Sequence, residues 1–199
     1  LKGIFNSANV GLANYRDFIN SPYAGRLLSN TIAQNLLFGI FVFLISMILG
    51  VAVTSLPSKN MFNNALVTLA LIPVFTPDVV YVSWFMNLTS PAKPFIMPNI
   101  AMWFIPLIRA LKYAGIPVLI TLVIYERICE NKESKNFLLP LQVSACFGLF
   151  SIMFITVNDI TITSLAVNPL VYETIDSFNL FTYRTGLLSG NFSSAAAVS

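Results

Sequence analysis

The sequence has 199 residues, of which 56% are hydrophobic and only 10% charged, and its mean hydropathy is +0.78. A soluble domain carries about 25% charged residues to cover its surface, so the composition excludes water as the solvent for most of the chain; it excludes disorder and a disulfide-stapled secreted fold as well. The net charge of +3 comes from 11 scattered Lys and Arg that form no basic face, which excludes nucleic acid as a partner, and the absence of His removes the commonest catalytic base and metal ligand together.

About 20 apolar residues cross a bilayer, so the length accommodates four or five crossings. Residues 1 to 30 mix polar and aromatic side chains with Lys2, Arg16, Asp17 and Arg26, and are expected outside the hydrocarbon; they carry no signal-peptide pattern. The first span is expected at Ile32 to Leu56, ending at Pro57, Ser58 and Lys59. A second runs from about Ala65 to Leu88 and is expected to be bent or broken, because Pro73, Pro77 and Asp78 sit in its middle and proline removes a backbone donor. The third covers about Ala101 to Tyr125 and is the least hydrophobic, interrupted by Arg109, Lys112, Gly115 and Pro117. A fourth is expected at Phe137 to Asn158. Residues 159 to 191 return to mixed polarity, and FSSAAAVS reads as the start of a further helix. Continuous rather than alternating apolar runs exclude a β-barrel, leaving an all-α membrane helix bundle of about four full transmembrane helices plus the start of another.

Only Lys and Arg in short loops set orientation. The 126–136 loop, ERICENKESKN, has three of them and the facing 88–100 loop only Lys93, which places 126–136 and the Lys59 turn in the cytoplasm. Cys129 and Cys146 read as unpaired thiols.

Charges within apolar spans are the sharpest functional leads, since a charge near the bilayer centre costs about 3 kcal/mol or more and normally faces a cavity or a partner. Asp78 has two readings: a carboxylate on a water-filled path opened by Pro73 and Pro77, or one paired with Arg109 or Lys112 to fix helix packing. Arg109 and Lys112 share a helical face and are expected to snorkel toward an interface with Trp103 and Tyr113. The aromatics Phe75, Tyr81, Trp84 and Phe85 either stack on a sugar or serve packing and lipid. Asn158 and Asp159 mark either the exit from the fourth span or a polar point on the path. Gly39 and Gly50 suit close helix approach, although they do not form the four-residue small-residue motif. There is no phosphate-binding glycine loop, no metal-ligand spacing and no serine elbow, so catalysis by this chain is not expected.

The residues from Asn168 onward are more specific. Asn168 to Thr174 (NPLVYET), Tyr183 to Leu187 (YRTGL) and Asn191 to Ser193 (NFS) resemble an external segment, a Tyr-Arg-x-Gly-Leu stretch and the start of the last helix in permease subunits of binding-protein-dependent type I ABC importers, in the oligosaccharide and polysaccharide branch. VGLANYRDFINSPYAGRLLSNTI, IPVFTPDVV and KYAG resemble further segments of the same permeases, so the resemblance extends over nearly the whole chain. It implies a single transmembrane permease domain over 1–199, incomplete at both ends, covering the second to fifth helices of six and the beginning of the sixth. It further implies transport of an oligosaccharide or similar solute, with a second permease subunit, two ATPase subunits, an extracytoplasmic solute-binding protein and membrane lipid as partners. This chain then holds no cofactor, ATP and magnesium belong to the partner ATPase, and the location is the bacterial inner membrane. Phe75, Asp78, Trp84, Asn158 and Asp159 become substrate-path residues.

One departure from the family matters. Its ATPase-docking loop starts with Glu-Ala-Ala, has a central Gly and ends in Leu-Pro; here Leu139 and Pro140 supply the end, while the preceding segment is shorter, strongly charged, and lacks both Ala-Ala and Gly. Glu126, Arg127 and Glu130 then form a reduced ATPase-coupling element, or the chain is a permease-derived membrane interaction protein uncoupled from any ATPase, or the sequence omits internal segments.

Overall fold

An apolar run in lipid has no water to pair its backbone, so each peptide group is satisfied within its own helix. The structure is a computed structural model that describes residues 12–55, 61–89, 95–128, 138–153, 160–166 and 168–198. The described residues contain helices and no strand. A short α1, Ala13–Ile19, precedes α2, Pro22–Ser55, which starts ten residues before the expected span. At about 1.5 Å per residue α2 is roughly 50 Å long and therefore overshoots a hydrocarbon core of about 30 Å.

The second span is broken as expected. Helices α3, Met61–Phe75, and α4, Asp78–Leu88, meet at 107°. Pro73 sits inside α3 without ending it, and the break falls at Thr76 and Pro77, because proline pushes the residue before it out of the helical region. The third span is nearly continuous: α5, Pro98–Tyr113, and α6, Gly115–Ile128, form one rod with a single irregular residue at Ala114. Pro117 has no N–H to offer the Tyr113 carbonyl, which accounts for the interruption there. α7, Leu138–Met153, falls within the fourth expected span, whose remaining residues, 137 and 154–158, lie outside the described residues. Among the described residues, two helical rods are long and apolar enough to cross a membrane, three if the bent pair counts as one.

α2 is the central post. It packs against α5, α6 and α7, and Gly50 meets Pro140 and Thr121 near its end, so the C-terminal ends of α2 and α6 and the start of α7 share one end of the bundle. At the other end α4 and α5 pack with α8, Ile160–Ala166, a 3-10 turn at Pro169–Val171 and α9, Tyr172–Ile175, around Val82, Phe95, Ile105, Ile108, Ile162 and Ile175. The chain finishes with α10, Phe178–Thr182, a π-helical turn at Tyr183–Leu188, and α11, Phe192–Ala196.

Candidate functional site

The break in the second span is where charge enters the bundle. Asp78 opens α4, and its carboxylate accepts a hydrogen bond from the ammonium of Lys112 on α5, forming an ion pair. Lys112 is only 4% exposed, with its Nζ 5.7 Å from the Tyr81 ring centre and 5.9 Å from that of Tyr113. The Tyr81 hydroxyl donates to the Ile108 carbonyl at 2.8 Å, which pins α4 to α5 beside the pair. Arg109, 2% exposed, lies over the Phe38 ring at 4.6 Å. The expected snorkelling of Arg109 and Lys112 is thus overturned. The face of α5 that carries Arg109 and Lys112 is buried against its neighbours, and the 107° bend carries a carboxylate to Lys112, so the ammonium is neutralised where it stands.

Of the other residues expected on a substrate path, Phe75 is 81% exposed at the corner of the bend and Trp84 is 66% exposed on α4; of the neighbouring aromatics, Tyr81 is in the core and Phe85 is packed against it. Asn158 and Asp159 lie outside the described residues, as do Cys129 and Glu130. Glu126 and Arg127 are exposed at the end of α6, and Cys146 is a free, exposed thiol. No group of three or more potential metal ligands occurs among the described residues.

A second polar cluster, at the opposite end of α2 from Gly50, was missed by the sequence reading. The Gln34 amide donates to the Ile175 carbonyl at 2.7 Å, and the Asn30 amide donates to the carbonyls of Glu173 and Asp176 at 3.0 and 3.2 Å. Arg184 donates to the Asp176 carboxylate at 2.7 Å and its guanidinium covers the Tyr172 ring at 4.3 Å. Asp176 is fully buried; burial raises its pKa above the ordinary carboxylate value, opposed by Arg184 and, more weakly, by Arg26. The signal was present in the sequence, since Thr31, Gln34 and Asn35 place polar side chains at helical spacing on one face of an apolar span.

This cluster explains the specific C-terminal residues. Asn168 caps the 3-10 turn by accepting from the Leu170 N–H and donates to the Phe95 carbonyl at 2.9 Å, while the Thr174 hydroxyl donates to the Pro98 carbonyl at 3.3 Å. Asn191 caps α11 by accepting from the Ser194 N–H. The 168–191 stretch is therefore tied to α2 and to the start of α5.

No family model matches the sequence, and no curated protein matches it. Solved structures do match in shape. A bacterial ABC transporter involved in the import of the acidic polysaccharide alginate superposes with a TM-score of 0.77 at 18% identity, over 98% of this chain and 78% of that one. A bacterial alginate ABC transporter in complex with an alginate pentasaccharide-bound periplasmic protein gives 0.73 at 18% identity, over 96% and 76%. The fold is ABC-importer permease-like. The bent α3–α4 pair and the polar clamp that Asn30, Gln34, Asp176 and Arg184 form between α2 and the 168–191 stretch lie within this fold.

Proposed function

We propose that this chain is a membrane permease subunit of an ATP-driven importer in the bacterial inner membrane, translocating an oligosaccharide or similar solute delivered by an extracytoplasmic binding protein. The observation that carries this reading is the likeness of fold over nearly the whole chain to a bacterial alginate ABC transporter. The binding-protein partner is supported by the second neighbour, which is a complex with a substrate-loaded periplasmic protein.

A bundle of this size encloses too little space for an oligosaccharide, so the conduit needs a second permease subunit. Two ATPase subunits, holding ATP and magnesium, supply the energy by closing on nucleotide, and the two permeases rock between outward- and inward-open states. In this reading Glu126, Arg127 and Glu130 receive the movement at one end. Asn158 and Asp159 add polar groups to the path. The exposed Phe75 and Trp84 and the neutralised Asp78 stand where the second span breaks, which brings polar chemistry into the membrane without an unpaired charge.

The test is uptake by the reconstituted transporter, with Asp78→Ala compared with the doubly neutral Asp78→Asn/Lys112→Met. Loss of uptake in both, with folding intact in the double variant, agrees with a path role for Asp78. Recovery in the double variant removes Asp78 from the path and leaves it a packing role. The short, charged 126–136 loop favours a second reading, a permease-derived interaction or scaffold protein without an ATPase; failure to recover any ATPase subunit with the folded chain from detergent supports that reading over transport.

A further inference from the structure

α1 carries two apolar surfaces, and only one of them is used within the described chain. Phe18 points inward, its ring 6.4 Å from that of Phe178 and 6.0 Å from that of Phe181. Leu12, Tyr15 and Ile19 point elsewhere. They are 77%, 47% and 70% exposed, and at about 100° per residue they fall within roughly 60° of one another. On the same wheel Arg16 borders the stripe, and Asp17 lies on the side of the helix opposite to it.

Two observations identify what covers this stripe. The first is continuity. The chain turns from α1 into α2 over Asn20 and Ser21, and the Ser21 hydroxyl donates to the Phe18 carbonyl at 2.6 Å. Beyond that turn Tyr23 is exposed, and α2 then carries an exposed apolar residue at every fourth position, Leu28, Ile32, Leu36, Ile40, Leu44 and Ile48, a ridge that winds about 200° around the helix. α2 is the more hydropathic of the two membrane-length helices among the described residues, which suits its exposed apolar residues to acyl chains. The second is the order of charge. A cation beside the apolar stripe and an anion on the far side is the arrangement of a helix lying on a bilayer, with its basic residue at the phosphates and its acid in water.

We infer that α1 is an interfacial anchor that lies in the headgroup layer, with Leu12, Tyr15 and Ile19 sunk about 5–10 Å into the boundary with the acyl chains. Through Phe18 it holds α10 at the membrane surface, so the clamp on α2 is set at a fixed depth. The inference requires the chain to reside in a bilayer, and it is independent of whether the chain transports anything.

The test places an environment-sensitive fluorophore on single cysteines at Leu12→Cys, Ile19→Cys and Asp17→Cys, in the full chain with Cys129 and Cys146 replaced by Ser, reconstituted in vesicles of phosphatidylcholine and phosphatidylglycerol. All three sites are exposed, so the substitutions leave the packing intact. Bromine on the upper part of the lipid acyl chains should quench labels at 12 and 19 at least about twofold more than at 17, and aqueous iodide should show the reverse order. Equal iodide quenching at 19 and 17 would overturn the anchor by placing the stripe in water. Protection of 12 and 19 from both quenchers would overturn it as well, because protein and not lipid would then cover the stripe.

Discussion

Gly39 on α2 and Gly148 on α7 face each other backbone to backbone. A Cβ placed on Gly148 would lie 3.1 Å from the Gly39 carbonyl oxygen, and one placed on Gly39 would lie 3.0 Å from the Gly148 carbonyl oxygen and would run into the Ile152 side chain. Without a hydrophobic driving force between helices in lipid, close approach of this kind supplies the van der Waals contact that holds α2 to α7. Replacing either glycine by Ala should destabilise the bundle by about 1–3 kcal/mol through overpacking. Gly25→Ala, on the same α2 with nothing within 4 Å, should be neutral or stabilising by up to about 1 kcal/mol. Thermal denaturation in detergent distinguishes the two outcomes.

The Asp78 and Lys112 pair should respond unequally to removal of its partners. The Lys112 side chain is 6% exposed and the Asp78 side chain 24%. Asp78→Asn strands a buried ammonium and should cost about 3–5 kcal/mol, whereas Lys112→Met leaves a carboxylate that retains some contact with its surroundings and should cost less. The double variant Asp78→Asn/Lys112→Met should recover much of the loss. Chemical denaturation of all three in detergent gives the cycle, and additive losses would argue against the pair.

Gln34→Leu should loosen the 168–191 stretch without melting α2. It leaves the Ile175 carbonyl unpaired in a buried position, at a cost of about 1–3 kcal/mol. Hydrogen exchange should accelerate in α9 and α10 and stay unchanged in α2 beyond Phe38. Uniform acceleration would mean that the clamp is not local.

Asp176 gives that stretch a pH dependence. Its pKa is raised in the fold by burial, so the native state holds the proton more tightly than the unfolded chain. The stabilisation from this group is therefore complete below the ordinary carboxylate pKa and lost as pH rises through the raised value. Melting temperature should fall across the window above about pH 4, the ordinary carboxylate pKa, and Asp176→Asn should remove that slope. Arg184→Leu takes away the main opposing charge, so it should move the window to higher pH.

Much of this fold is written in local sequence. The unbroken apolar run after Ile32 makes α2 helical because lipid offers the backbone no other partner, and Pro77 predicts a break because its ring excludes a helical Thr76. The glycines of α2 were suggestive by residue type alone. The same local reasoning did not tell Pro73 from Pro77, nor did it find the clamp made by Asn30, Gln34, Asp176 and Arg184, whose partners are 8 to 146 residues apart. It also sent Arg109 and Lys112 to the membrane surface. A charge on an apolar helix has two ways to avoid bare hydrocarbon, reaching water or meeting a counter-charge, and which is open depends on what stands beside it. Composition and periodicity determined that this chain is a membrane helix bundle with a broken span. Only the tertiary structure, by folding that span through 107° and carrying Asp78 to Lys112 across 34 residues, decided where its charges come to rest.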